Sequence, residues 1–69
     1  MTEYVVIYEQ GEDGWGAYVP DLPGVVAAGA TRAEVEELMR EAIPFHVQGM
    51  RRAGEPIPRP TSTAGYIAA

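Results

Sequence analysis

A chain of 69 residues with no cysteine leaves room for one domain and excludes disulfides and thiolate metal sites. Its net charge of −5 argues against broad binding to a phosphate backbone, which depends on neutralising cations. A domain this small buries only about 60% of the surface that its unfolded form exposes, so self-association is the expected additional source of stability.

The charge is uneven. Residues 1–41 carry nine acids against Arg32 and Arg40, a balance of −7, and residues 42–69 carry Glu55 against Arg51, Arg52 and Arg59, a balance of +2. An acidic front half suits a basic protein partner, or simply a soluble surface. No stretch reaches the roughly 20 apolar residues of a membrane span, and residues 1–15 do not have the pattern of a signal peptide. The expectation is a soluble, cytoplasmic protein.

In chain order, Glu3–Glu9 (EYVVIYE) is rich in β-branched and aromatic residues and predicts a first strand. A polar turn over 10–14 leads to Trp15, Ala17 and Val19, which alternate with Gly16 and Tyr18 as a second strand. The two form an antiparallel hairpin. Pro20, which has no N–H to give to a ladder, ends the second strand. Leu22-Pro23-Gly24-Val25 has the residues of a type II turn, and Val25–Ala28 predicts a third strand ended by Gly29.

Thr31 and Glu34 are spaced as a capping box and predict a helix start. From Val35, residues Leu38, Met39, Ala42, Ile43, Phe45, His46, Gly49 and Met50 fall within about 80° on a helical wheel, with acids and arginines opposite, so the helix lies on the sheet by one face. Pro44 falls on the solvent side. It predicts either a kink near Arg40–Pro44 or two separate helices. Gly54 suits the helix end, Pro56, Pro58 and Pro60 predict an extended crossing of the surface, and Tyr66–Ala68 predicts a short fourth strand. The architecture expected is α+β, a three- to four-stranded antiparallel sheet under one amphipathic helix in the order β-β-β-α-β. Residues 1–60 carry the motifs and 61–69 form a tail or strand.

Catalytic chemistry finds little support in these residues. His46 lies among apolar residues with no carboxylate to orient it, and a satisfied structural histidine explains it better. Glu9, Asp13 and Asp21 are the only carboxylates that strand ends could gather, and Asp13 and Asp21 each have a turn-forming role. A residual metal-dependent nuclease built on these three is the minority reading, and no cofactor or metal is expected. Tyr4, Trp15 and Tyr18 would make a base-stacking platform only with cations nearby, and residues 1–31 contain none. Arg51, Arg52 and Arg59 read as a solvated end that complements the helix dipole.

The run YVPDLPG at 18–24, then GAT at 29–31, an acidic amphipathic helix and GEPIP at 54–58, resembles the HicB family of antitoxins over nearly the whole chain, from Tyr4 to about Pro60. The resemblance implies a partial, degenerate RNase H-like fold. It also implies a non-catalytic role, in which a small basic HicA-like toxin that cleaves mRNA is neutralised by masking its active site. Three departures stand out: Val25 where many members have cysteine, Pro44 inside the helix, and no segment resembling a C-terminal DNA-binding element, so direct nucleic-acid binding is not expected. Trp15, Asp21 and Leu22, with Glu37 and Glu41 of the helix, are the residues expected to face the partner, Leu22 as the apolar tip of a rigid turn. The alternative is an orphan member of the family that forms a homo-oligomer and has no toxin. Whether a sheet edge or a helix face would form that oligomer is open at this level.

Overall fold

A computed structural model describes residues 2–69. Three strands, β1 (Ile7–Gln10), β2 (Trp15–Tyr18) and β3 (Val26–Gly29), form an antiparallel sheet in the order β1-β2-β3, and one helix, α1 (Arg32–Ala53), follows. The helix packs on β2 and β3.

The first strand is shorter than its composition predicts. A strand lasts only as long as its neighbour offers a ladder, and β2 pairs residue for residue with β1 from Ile7↔Tyr18 to Gln10↔Trp15. Past Tyr18 the chain leaves the sheet at Val19-Pro20, so Tyr4–Val6 have no strand opposite them and run on irregularly, half-buried. The β1–β2 turn is closed by the Gly11 N–H donating to the Gly14 carbonyl at 2.8 Å. Gly14 must be glycine, because a Cβ there would stand 2.5 Å from the Gly29 carbonyl oxygen of β3. The third strand lies one residue later than expected. Val25 spends its backbone groups on the preceding turn, and Gly29 pairs with Trp15.

The helix begins as predicted, with Thr31 as N-cap and the Glu34 N–H donating to its Oγ1 at 3.2 Å. The returning bond differs from the expected box: Glu34 Oε2 accepts from the N–H of Ala30, not of Thr31. α1 then runs 22 residues without interruption, through Pro44, which rules out the two-helix alternative. Pro44 is exposed, as the wheel places it. At the far end Gly54 adopts the left-handed conformation, its N–H donating to the Arg51 carbonyl while Glu55 N–H donates to Met50, a Schellman closure.

The core is small. Ala17, Val19, Leu22, Val25, Val35 and Met39 are buried, and Tyr4, Val6, Tyr8, Trp15, Ala27, Ala42, Ile43 and Val47 pack around them. Alternation along the sheet explains the choice. Trp15, Ala17 and Val19 share the face toward the helix, and Gly16 and Tyr18 share the other.

The expected fourth strand at Tyr66–Ala68 is absent. Residues 55–69 have no regular structure, and Tyr66 and Ile67 are almost fully exposed. Prolines at 56, 58 and 60 remove three ladder donors from the approach to β1. Fixed points hold the segment instead, the first being Tyr4, whose hydroxyl donates to the Pro58 carbonyl at 2.7 Å.

Candidate functional site

The connection between β2 and β3 is the most highly determined loop of the chain. Two turns overlap in it. Leu22 N–H donates to the Val19 carbonyl at 3.1 Å, and Val25 N–H to the Leu22 carbonyl at 3.2 Å. Proline stands at the second position of each turn, where its fixed φ is preset. Gly24 supplies the positive φ of 91° that the third position of a type II turn requires. Val19 N–H donating to Val25 closes the base at 3.3 Å.

This geometry corrects the expectation for Leu22. Two consecutive turns fold the connection back over the end of the core, and Leu22, at the join, is fully buried there. It is a core residue, with no exposed surface to offer a partner.

Asp21, next to it, faces the C-terminal segment. Its Oδ2 accepts the backbone N–H groups of Thr61 and Ser62 at 3.1 and 2.9 Å, and its Oδ1 accepts their hydroxyls at 3.1 and 2.9 Å. The carboxyl is held below the usual carboxylate range, chiefly by the Ser62 N–H. A smaller desolvation effect acts in the opposite sense, and the two hydroxyls and the Thr61 N–H add to the lowering. Asp21 thus anchors a segment 40 residues away. Nothing local in the sequence signals that pairing; Thr61, Ser62 and Tyr4 were not foreseen as its fixed points. The one clue is compositional, three adjacent hydroxyl residues, Thr61, Ser62 and Thr63, directly after a proline run.

The other candidates lie elsewhere. Trp15 is at the hairpin end of β2, half-buried against the core. It lines a shallow hollow with Glu9, Asp13, Gly14, Ala28 and Gly29. Glu37 and Glu41 are exposed on α1, and Glu37 pairs with Arg40 one turn on. Arg32 pairs with Glu36 at 2.9 Å and stands 4.7 Å from the centre of the Tyr8 ring. Trp15 and Asp21 therefore lie at opposite ends of the β2 line, and the two glutamates lie on a separate layer. The five residues do not form one patch.

Glu9 and Asp13 share the hairpin hollow, but Asp21 does not join them. Among the described residues no group of three His, Cys, Asp or Glu is placed to hold a metal ion. His46 is half-buried on α1. No helix of the described residues is long and apolar enough to cross a membrane.

With that geometry in view, a family model described as a HicB-like antitoxin of bacterial toxin–antitoxin systems matches residues 4–69. A 14.9 kDa protein from the rep–hol intergenic region of Haemophilus phage HP1 is 38% identical over 64 residues, 93% of this chain and 48% of the phage protein. A UPF0150 protein of Thermoplasma acidophilum is 36% identical over 58 residues, 83% of this chain and 84% of that protein. The chain thus spans about half the length of the phage relative and most of the archaeal one.

Proposed function

Because the chain belongs to the HicB-like antitoxins of bacterial toxin–antitoxin systems, we propose that it neutralises a small basic HicA-like mRNA interferase by covering that protein's active site. The family match over residues 4–69 carries this reading. The charge distribution supports it: Glu34, Glu37 and Glu41 are exposed on the first half of α1, opposite in sign to the partner proposed. The order of three antiparallel strands and a helix is compatible with a partial, degenerate RNase H-like fold.

Inhibition in this reading is steric and electrostatic and involves no chemistry by this chain. Glu37 and Glu41 are the contact residues proposed on the helix, and Trp15 is the aromatic contact at the hairpin end. Asp21 and Leu22 contribute indirectly, by keeping the β2–β3 connection and the C-terminal segment in place.

The test is inhibition of RNA cleavage by a HicA-like protein co-purified with this chain. Cleavage should stop at stoichiometric amounts of the chain. Reversing both glutamates (Glu37→Arg with Glu41→Arg) should weaken inhibition about tenfold or more at low salt, with less effect at high salt, since exposed charges act mainly through screened, long-range attraction. Full cleavage in the presence of excess wild-type chain would remove the reading.

A further inference from the structure

The rest of the chain treats the two edges of the sheet differently. Thr63–Tyr66 line a cleft with Val5–Tyr8 along β1, and the anchors at Tyr4 and Asp21 keep that segment close. On the far side of β3 no strand is paired among the described residues. An open edge presents backbone donors and acceptors to any strand that reaches it.

The register says which groups those are. Val19 N–H bonds to Val25, so in an antiparallel ladder Ala17/Ala27 and Trp15/Gly29 are the hydrogen-bonded pairs that follow. Val26 and Ala28 therefore direct their N–H and C=O groups outward. The Val26 side chain is 70% exposed, and the remainder of the strand is Ala27, Ala28 and Gly29, small enough for close approach.

One shoulder of α1 overhangs this edge. At 100° per residue Leu38 and Phe45 lie roughly 20° apart, and roughly 140–180° from Ile43 and Val47. Those two line a groove with Tyr4 and Ile57 on the β1 side of the molecule. Leu38 and Phe45 are thus on the β3 side, 41% and 79% exposed.

We infer that the β3 edge with Leu38 and Phe45 beside it is the surface by which two copies of this chain join about a two-fold axis, β3 against β3 and α1 against α1, each pair antiparallel. Val26 then pairs with Ala28 of the second copy, and Ala27 meets its own counterpart at the axis. The helix layer fits the same axis. With strands about 4.8 Å apart, a helix seated between β2 and β3 lies about 5 Å from the axis, and two such helices are about 10 Å apart, the spacing at which helices pack.

Charge selects a second copy as the occupant. Glu34, Glu36, Glu37 and Glu41 fill the first half of α1, and Arg51 and Arg52 its last turn. An antiparallel pair centred between Leu38 and Phe45 sets Phe45 against Leu38 of the other copy and brings Arg52 within one turn of Glu34. A parallel pair would oppose acid to acid. The product is a six-stranded sheet with two helices on one face, and it stands whether or not the chain also binds a toxin.

Sedimentation of the full chain from micromolar to millimolar concentration should show a monomer–dimer equilibrium. Phe45→Glu should weaken it about tenfold or more, as charge does in place of an aromatic anchor, with unchanged circular dichroism because Phe45 is exposed in the single copy. Ala27→Cys gives a chain otherwise without cysteine its single thiol, and mild oxidation should join two copies, since opposed residues of a non-hydrogen-bonded pair lie about 4.5 Å apart. A monomer at every concentration overturns the inference. So does a dimer that Phe45→Glu leaves intact and Ala27→Cys does not cross-link. Amide protection of Val26 and Ala28 that arises only with a basic partner would give the face to that partner, and would overturn it as well.

Discussion

Asp21 shows how one carboxylate can be legible in kind and not in place. Its position after a proline marks it as a turn residue, and it is one. Its four hydrogen bonds, however, go to Thr61 and Ser62, which no local pattern connects to it. All four donors favour the charged form, so the folded pKa is lowered. A group with a depressed folded pKa contributes stability above its unfolded value, about 3.9, and loses it as pH falls through the lower folded value. The C-terminal segment should therefore stay anchored at neutral pH and detach only below about pH 4. Asp21→Asn keeps one acceptor oxygen and replaces the other with a donor that faces donors. Faster amide exchange at Thr61 and Ser62 at pH 7, with the sheet amides unaffected, is the expected result. Unchanged exchange would mean that the Tyr4–Pro58 contact alone holds the segment.

At the scale of elements, the residues that announce α1 are the ones that build it: Thr31 and Glu34 at the start, Gly54 at the end and an apolar stripe between them. The hairpin was legible for the same reason, since alternation at Trp15, Ala17 and Val19 reports a face. The ends of β1 and the absent fourth strand were not legible, because each depends on whether a neighbour supplies a ladder. Leu22 was misplaced by a similar gap: turn chemistry predicts the backbone at 19–25, but the direction of a side chain follows only once two turns are combined. Pro44 tests how much of α1 is fixed by packing. It removes the N–H that would bond to Arg40 and crowds that carbonyl, yet the helix continues through it. Pro44→Ala restores the donor at an exposed site, so a gain of about 1–3 kcal/mol in urea unfolding is expected. A loss of stability would mean that the ring's contacts beside Ile57 in the groove outweigh the missing bond.

For the whole molecule, the decisive quantity is how little is buried. Among the described residues six are buried as the core, and Leu38 and Phe45 remain outside it on the β3 side of α1. The exposure of Leu38 and Phe45 has no account within a single copy, whereas a two-fold pair covers both and closes the open edge of β3. If folding and pairing are linked in this way, stability includes a mass-action contribution, and the thermal midpoint must rise with protein concentration. The wild-type chain is expected to show that rise in calorimetry across a hundredfold dilution series, of about the size set by the association constant. In the chain with Phe45→Glu the same rise should be displaced to about tenfold higher concentration or more. The comparison separates the two reasons a small domain can be stable: a concentration-independent midpoint in the wild type would place all of its stability in the core around Leu22, Val35 and Met39, leaving β3 a true free edge.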